Sequence, residues 1–333
     1  MRNIKRIAIF DFDLENGKQK PYLHLYYETF GLPLGTAPVI VVNHSLTSNS
    51  SVAGEKGWWK EIVGDDKAID TNLFTIIAFN VPGNGYGDPE ANLIDNYRDF
   101  SIRDVARIFW EALFFLDVNE IYAVIGVSLG GTVAWEMAAL QPDKIENLVP
   151  IATDWKATDW IIANVLIQDQ ILNNSKNPIA DARMHATLLY HSPTYISQLY
   201  EREETDEAFS FKIEEWLVDK GSQLQSRYQL AAYKFMNHLL KTNDVTRNRN
   251  DITVIARRIE SNIHLVTIDT DYLFTTEECD KTYQKIRSVK QNVFYHPIQS
   301  EYGHDAFLMD FDQLSSILRP ILNNQLKQNY VNL

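Results

Sequence analysis

Short, almost continuous apolar runs recur along the chain and are separated by longer amphipathic segments. Runs of this kind are typical of parallel strands that are covered on both faces. They predict strands over residues 39–42, 74–79, 121–125, 148–152, 263–268 and 292–295. The segment 5–30 differs, because it alternates apolar and polar residues and carries the turn signal Glu15-Asn16-Gly17, which predicts an antiparallel hairpin leading into the sheet.

Helical periodicity fills the intervals between these strands. It predicts helices over residues 101–117, 132–141, 276–288 and 313–323. Ser101, with Asp104 three residues later, is typical of a helix N-cap, and Pro320 is expected to kink or end the last helix. Strands that alternate with helices in this way predict an α/β protein with an open, mostly parallel sheet flanked by helices.

The stretch from residue 155 to residue 250 interrupts this alternation. It carries few strand signals and helical patterns over residues 159–173, 180–190, 211–225 and 228–241. We therefore expect a core made of residues 1–154 and 251–333, with a helical lid of residues 155–250 inserted between two sheet strands. Such a lid can exclude water and shape a substrate pocket, but an ordinary helical subdomain without a gating role fits the pattern equally well.

Composition narrows the classes of function that the chain can have. Its 333 residues are 45% hydrophobic and 23% charged, and the formal net charge of -13 argues against a general nucleic-acid or anionic-membrane surface. Cys279 is the single cysteine, so a disulfide within the chain is excluded. The apolar run 7–10 is too short for a signal peptide, and no stretch approaches the ~18 apolar residues of a membrane span, so we expect a cytoplasmic location.

The clearest chemical signal is the run Gly126-Val127-Ser128-Leu129-Gly130. It stands directly after the strand predicted over 121–125 and directly before a helix-patterned stretch. A serine in a sharp strand–turn–helix connection, with glycine two positions away on either side, is the nucleophile-elbow pattern, although a plain glycine-rich turn would share the spacing. The turn lifts the hydroxyl above the sheet and places backbone N–H groups at a helix start, where negative charge is favoured. Ser128 is therefore the candidate nucleophile.

A serine nucleophile needs a base, and the base needs a carboxylate that orients it, in the chain order serine, acid, histidine. His304 follows the last predicted strand, next to a glycine, and is the candidate base. Asp269 and Asp271 both follow the strand predicted over 263–268. Asp271 is favoured because it lies further into the loop, where it reaches the histidine more easily.

The oxyanion that forms in acyl transfer needs two backbone N–H donors. One is expected from Leu129, the residue after the nucleophile. The second is expected from the loop after the strand predicted over 39–42, where Leu46 is our candidate. A polar loop without a catalytic role would have the same composition.

These motifs extend over nearly the whole chain and together point to one family. In order, they are Asn43-His44-Ser45-Leu46-Thr47, Gly57-Trp58-Trp59, Ala68-Ile69-Asp70-Thr71, the loop 80–87, the elbow, Asp271-Tyr272-Leu273-Phe274 and Gly303-His304-Asp305-Ala306-Phe307-Leu308. The chain thereby resembles the homoserine O-acetyltransferases of methionine biosynthesis, which have the α/β-hydrolase fold. The resemblance implies transfer of an acetyl group from acetyl-CoA to the hydroxyl of L-homoserine through an acyl-serine intermediate.

The same resemblance implies the substrate-binding residues and the partners. Arg183 would bind the carboxylate of the amino acid, Tyr190 would lie seven positions later on the same face of a lid helix, and Asp305 would receive the ammonium group. Acetyl-CoA would be a co-substrate, with no permanently bound cofactor and no metal, and the enzyme would be a homodimer built through the lid. Without the resemblance, Arg183 would be interpreted as a solvated helix charge and Tyr190 as a core aromatic residue of the lid.

The chain also departs from the family near the pocket. Its elbow reads Gly-Val-Ser-Leu-Gly-Gly-Thr-Val in place of the usual Gly-Gly-Ser-Met-Gly-Gly-Met-Gln, and Gln229 and Ala231 replace an expected Asp and Asn. Three alternatives therefore stay open. They are a serine-triad esterase or hydrolase, an O-acyltransferase with another donor or acceptor such as succinyl-CoA or serine, and a non-enzymatic binding protein that kept the fold.

Overall fold

An eight-stranded sheet forms the centre of the protein. The computed structural model describes residues 4–88, 92–207 and 209–330. Its strands are β1 (Lys5–Asp13), β2 (Gln19–Gly31), β3 (Val39–Asn43), β4 (Thr75–Phe79), β5 (Ile121–Val127), β6 (Ile145–Ile151), β7 (Asn262–Ile268) and β8 (Val293–Ile298). They lie side by side in the order β1-β2-β4-β3-β5-β6-β7-β8.

The pairing confirms a mostly parallel sheet with an antiparallel hairpin at its start. β1 pairs with β2 and β2 with β4 in antiparallel fashion, and all other neighbours in this sheet are parallel. The hairpin turns where the sequence predicts it, because the N–H of Gly17 donates to the Leu14 carbonyl over 2.9 Å. Gly17 has a φ of +83°, a backbone conformation that suits glycine.

Both faces of the central strands are apolar, as the continuous apolar runs predict. Every residue of β3, β4 and β5 is buried. Along β3, Val39 and Val41 belong to one hydrophobic core, and Ile40 and Val42 belong to the other. Each face is covered by helices, so the sheet is the middle layer of three.

The helices of the core follow the predicted positions with small shifts. They are α1 (Ile102–Phe115), α2 (Leu129–Leu140), α8 (Ile252–Arg258), α9 (Thr276–Arg287) and α10 (Phe311–Tyr330). The cap predicted for α1 is confirmed, because the Ser101 side chain accepts from the Asp104 N–H and the Asp104 side chain accepts from the Ser101 N–H. The seven-residue α8 is not predicted from the sequence.

Pro320 does not end the last helix, and a kink at this position, the other expected effect, stays a prediction. α10 continues through Pro320 to Tyr330. Pro320 is exposed, whereas Leu318, Ile321 and Leu322 on either side of it are buried against the sheet. The apolar contacts on both sides offset the hydrogen bond that proline cannot donate.

Five further helices lie between β6 and β7, where the sequence predicts the lid. They are α3 (Asp159–Asn174), α4 (Pro178–Tyr190), α5 (Pro193–Tyr200), α6 (Lys212–Gln225) and α7 (Leu230–Thr242), of which α5 is not predicted. α4 packs against α3 and α6, and α7 packs against α3 and reaches α1 and α2 of the core. The exact division at residues 155 and 250 stays a prediction. None of the described helices combines the length and apolar character that crossing a membrane requires.

Strand register brings the loops that carry the candidate residues to one edge of the sheet. Asn43 at the end of β3 pairs with Gly126 of β5, two positions before Ser128. Ile268 at the end of β7 pairs with Ile298 at the end of β8. The loops after β3, β5, β7 and β8 therefore leave the sheet side by side, and the insertion after β6 lies over them.

Candidate active site

Ser128 occupies a strained turn between β5 and α2. Its φ of 52° and ψ of -122° are unusual for a residue with a side chain. The Ser128 N–H donates to the Ile151 carbonyl of β6 over 2.9 Å, which helps to hold the turn. Strain of this kind persists only where the surrounding structure enforces it, and here it presents the hydroxyl above the sheet.

Two glycines make this turn possible. A Cβ on Gly126 would lie 2.2 Å from the Gly130 carbonyl oxygen, and a Cβ on Gly130 would lie 2.2 Å from the Asn43 carbonyl oxygen. In both cases the obstacle is backbone, which cannot rotate away as a side chain can. The glycines of the sequence motif therefore let the strand, the helix and the loop after β3 approach each other.

Ser128, His304 and Asp271 form a hydrogen-bonded triad. The Ser128 Oγ lies 2.8 Å from His304 Nε2, and His304 Nδ1 lies 2.6 Å from Asp271 Oδ2. The other carboxylate oxygen, Asp271 Oδ1, accepts from the N–H groups of Leu273 and Phe274 over 2.7 and 2.9 Å. All three triad side chains are buried. The arrangement fits a serine nucleophile, a base and an orienting acid.

The two candidate acids, Asp269 and Asp271, have different surroundings in the structure. Asp269 is exposed, and its carboxylate accepts from the Ser300 N–H over 2.9 Å rather than from His304. The turn between Asp269 and Asp271 directs the later side chain inward. Asp271 is therefore the aspartate of the two that contacts the histidine, and its role as the orienting acid stays a prediction.

The surroundings of His304 favour its charged form. Burial alone would lower the pKa of His304, but the charge and hydrogen bond of Asp271, with a smaller contribution from Asp305, raise it above its ordinary value of 6.5. A base with a raised pKa takes a proton from serine more readily. The imidazolium that results would face the carboxylate that stabilises it.

The two expected oxyanion donors have no other hydrogen-bond acceptor in the described chain. The N–H of Leu129 is the first of α2 and has no carbonyl of its own helix to bind. The Leu46 N–H lies in the segment 44–48, here named the oxyanion loop, and it also donates to no described group. Both residues are buried, so these are two unsatisfied donors beside Ser128.

A pocket of about 250 Å³ opens above Ser128 and His304. It brings together residues that the sequence placed far apart, because Leu46, Arg183, Tyr190 and Asp305 all line it. Asp271 and Leu129 lie behind this surface, against His304 and Ser128 respectively. The pocket also contains residues that were not predicted to line it, which are Ser45, Thr47, Ser48, Trp58, Arg227, Phe307 and Leu308.

Among the predicted substrate-binding residues, Arg183 has a charge without a partner in the described chain. The guanidinium group of Arg183 lies 5.1 Å from the ring centre of Tyr190 and makes no hydrogen bond or ion pair with a described residue. Burial raises the pKa of Tyr190 to about 12, so its phenol stays neutral. The Arg183 cation is therefore available to an anionic ligand in the pocket.

Asp305 brings a carboxylate, the opposite charge, to the same pocket. Its Oδ2 lies 3.9 Å from Nε2 of the buried His191, whose Nδ1 faces the Tyr302 carbonyl. Burial lowers the pKa of His191 despite the opposing effect of Asp305, so His191 is neutral at neutral pH. His191 therefore gives Asp305 no cationic partner, and the Asp305 carboxylate is available to a cationic group of a ligand.

Some of the pocket residues that were not predicted belong to sequence motifs that were recognised. Trp58 belongs to the double-tryptophan element, stacks on Trp59 at 5.2 Å between ring centres, and donates from Nε1 to the Asn49 carbonyl. Phe307 and Leu308 belong to the run that contains His304. Arg227 stands between two lid helices, two positions before Gln229, which the family resemblance had placed near the pocket.

Comparison with known proteins agrees with this geometry. Residues 38–228 match the family model described as the alpha/beta hydrolase fold. The homoserine O-acetyltransferase of Cyclobacterium marinum is 31% identical, and the match covers 92% of this chain and 91% of that protein. Among solved structures, the homoserine O-acetyltransferase from Bacillus anthracis superimposes with a TM-score of 0.85 at 18% identity, over 97% of this chain and 98% of that one. Esterase E22 superimposes with a TM-score of 0.86 at 18% identity, over 97% and 100%.

Proposed function

The chain belongs to the α/β-hydrolase fold family and, within it, to the homoserine O-acetyltransferases, and from this membership we propose that it moves an acetyl group from acetyl-CoA to the hydroxyl of L-homoserine. One observation carries the proposal. The pocket at Ser128 also contains the unpaired cation of Arg183 and the carboxylate of Asp305. A simple acetyl ester needs neither charge, whereas a free amino acid presents a carboxylate and an ammonium group that match both.

In the first half of the reaction, Ser128 takes the acetyl group. His304 removes the Ser128 proton, and Oγ attacks the thioester carbonyl carbon of acetyl-CoA. The N–H groups of Leu46 and Leu129 stabilise the oxyanion of the tetrahedral intermediate. The C–S bond then breaks, His304 gives its proton to the departing thiolate, and an acetyl ester of Ser128 remains.

In the second half, homoserine takes the acetyl group from the enzyme. Arg183 binds the carboxylate of homoserine, Asp305 binds its ammonium group, and the neutral Tyr190 phenol lines the site beside Arg183. His304 removes the proton of the homoserine hydroxyl, whose oxygen attacks the acetyl carbonyl carbon. The ester bond to Ser128 breaks, Ser128 recovers a proton from His304, and O-acetylhomoserine leaves.

Water competes with homoserine for the acetyl group at this stage. Two features favour the amino acid. Arg183 and Asp305 hold the homoserine hydroxyl next to the acetyl ester, so the reaction does not wait for a chance bimolecular encounter. The pocket is small and lies under the inserted helices, so few water molecules share it with the acceptor.

The proposal is tested by measuring CoA release from acetyl-CoA and from succinyl-CoA, each with homoserine, serine or no amino acid. We expect fast release only with acetyl-CoA and homoserine, and none above background in Ser128→Ala. Release that does not depend on an amino acid would instead identify a hydrolase. A preference for serine or for succinyl-CoA would identify a transferase with another acceptor or donor.

A matched variant tests how the acceptor is recognised. Arg183→Met removes the cation but keeps an unbranched apolar stem at this position. We expect KM for homoserine to rise roughly tenfold to a hundredfold, because a charge-assisted hydrogen bond is lost, while KM for acetyl-CoA stays within about twofold. Equal rises in both KM values would contradict this role of Arg183.

We further propose a homodimer that forms through the lid. Leu166 and Ile167 on α3 and Leu188 on α4 are 55%, 47% and 50% exposed, an apolar surface that a second copy of the same chain could cover. Light scattering of the wild type should give twice the chain mass, and Leu166→Lys with Ile167→Glu should give the chain mass. A monomeric wild type would refute the dimer.

We also propose a cytoplasmic location, with which the single buried thiol of Cys279 agrees.

A further inference from the structure

We propose that Tyr228, with Arg227 in support, is a positioning residue that holds the oxyanion loop in its active shape. Both residues lie in the short connection between α6 and α7, within the inserted helices. The Tyr228 hydroxyl donates to the Leu46 carbonyl over 2.9 Å, and Arg227 Nη1 donates to the Thr47 carbonyl over 3.0 Å. The inference rests on the acyl chemistry proposed for Ser128, because the loop matters only if an oxyanion forms there.

Each of three successive carbonyls in the oxyanion loop is held by a side chain. The Ser45 carbonyl accepts from His44 Nδ1 over 2.7 Å and also from the Ser48 N–H over 3.1 Å. The Leu46 carbonyl accepts from the Tyr228 hydroxyl, and the Thr47 carbonyl accepts from Arg227. Since Ser45 and Leu46 are buried, a carbonyl left without its donor would be costly there.

Holding the carbonyls also directs the N–H groups. In a planar trans peptide, the C=O of one residue and the N–H of the next point in opposite directions. The bonds to the Ser45 carbonyl therefore fix the direction of the Leu46 N–H, and the bond from Tyr228 fixes the peptide that follows it. With the peptides on both sides of Leu46 held, the Leu46 N–H keeps one direction, as a preorganised oxyanion donor must.

The donors on the two sides of Leu46 have different origins. His44 belongs to the loop itself, and burial lowers its pKa to about 4, so it stays neutral, with Nδ1 donating and Nε2 accepting from the Val81 N–H over 3.0 Å. Tyr228 comes from a segment 182 positions away. Burial raises the pKa of the Tyr228 phenol, so it remains a donor throughout the working pH range.

This arrangement links the inserted helices to the chemical step. The same insertion that supplies Arg183 and Tyr190 for the acceptor supplies the donors that shape the oxyanion loop. A displacement of the α6–α7 connection would withdraw both donors at once. The insertion would then act on the formation of the acyl-enzyme as well as on binding of the amino acid.

The test compares Tyr228→Phe with Tyr122→Phe. Tyr122 is the matched control, because its hydroxyl also donates to a backbone carbonyl, that of Leu322 at 2.7 Å, but it lies outside the pocket lining. The readouts are kcat and KM for a chromogenic acetyl ester, which needs neither CoA nor homoserine, the affinity for an alkylboronic acid that forms a tetrahedral adduct with serine, and the melting temperature.

We expect Tyr228→Phe to lower kcat for the ester roughly tenfold to a hundredfold, somewhat less than loss of an oxyanion donor itself. Boronate affinity should fall in parallel, KM for the ester should stay within about twofold, and Tyr122→Phe should lower only the melting temperature. A Tyr228→Phe enzyme with wild-type kcat and boronate affinity would show that the hydroxyl is only structural and would overturn the proposal.

Arg227 supplies a second test should Tyr228→Phe fail to fold. Arg227→Gln shortens the side chain away from the Thr47 carbonyl at an exposed position, and Arg227→Lys keeps a donor. We expect kcat for the ester to fall in Arg227→Gln and to recover in Arg227→Lys, whereas equal wild-type values in both would overturn the supporting role. If the wild type fails to acetylate homoserine but these ester results hold, the proposed acceptor is wrong and the positioning role stands.

Discussion

Replacing Asp271 by asparagine should nearly abolish catalysis while keeping the shape of the site. Asp271 has three hydrogen-bond donors around it, the N–H groups of Leu273 and Phe274 at Oδ1 and the ring of His304 at Oδ2. Asparagine has one acceptor oxygen. The two backbone N–H groups cannot move or change their role, so they will take that oxygen, and the amide NH₂ group will face His304.

The reversed hydrogen bond sets the size of the effect. An NH₂ group facing His304 Nδ1 requires a lone pair on Nδ1, so the proton of the neutral ring must sit on Nε2. His304 Nε2 is the atom 2.8 Å from Ser128 Oγ, and once it carries a proton it cannot accept another. We expect kcat to fall by roughly 10⁴-fold, or about 5.5 kcal/mol in the barrier, as in triads that lose the correct tautomer.

The assay measures CoA release with saturating homoserine, with melting temperature as a check on folding. Asp269→Asn is the matched control, since Asp269 also accepts a backbone N–H, from Ser300, but does not touch the histidine. We expect Asp269→Asn to keep kcat within about twofold. A folded Asp271→Asn enzyme that retained more than about a tenth of the wild-type kcat would refute the reasoning.

Three other predictions follow from contacts around the site and the core. Because His304 must be unprotonated to act and its pKa is raised above 6.5, kcat/KM for acetyl-CoA should fall as pH decreases through an inflection above 6.5, and an inflection below that value in the pH profile would contradict it. Gly130→Ala would place a Cβ 2.2 Å from the Asn43 carbonyl oxygen, so the unfolding free energy should fall by about 1–3 kcal/mol with a loss of ester hydrolysis, and wild-type values in both would be contrary evidence. Ser101→Ala removes the cap that accepts the Asp104 N–H, so denaturant unfolding should show a loss of about 1 kcal/mol at unchanged kcat, and an unchanged unfolding midpoint would argue against the cap.

The sequence predicts this fold well where apolar runs are almost continuous. The central strands are buried on both faces, so their residues are almost all apolar and the strands are easily recognised. The turn signal at Gly17 predicts the hairpin. The short helices α5 and α8 escape prediction, because eight and seven residues give too few turns for a periodic signal. The last helix continues past Pro320 because its neighbours Leu318 and Ile321 pack against the sheet, and that tertiary contact outweighs the local preference.

Some residues of the candidate site could likewise be predicted from the sequence, and others could not. Ser128, Asp271 and His304 could be found because each follows a strand at a fixed place in the topology, so position along the chain implies position in space. Arg183 and Tyr190 became visible only through the family resemblance. Tyr228 could not be found, because its partner Leu46 lies 182 positions earlier and neither neighbourhood carries a local mark of the contact.

The most direct test of the account is to observe the acetyl group on Ser128 and follow where it goes. The enzyme is mixed with acetyl-CoA, quenched within milliseconds and analysed by mass spectrometry, and the same experiment is repeated with homoserine added before the quench. We predict one acetyl group on the peptide that contains Ser128, and its rapid conversion to O-acetylhomoserine when the amino acid is present. An acetyl-enzyme that decays to acetate equally fast with and without homoserine, or no acetylation of Ser128, would contradict the account.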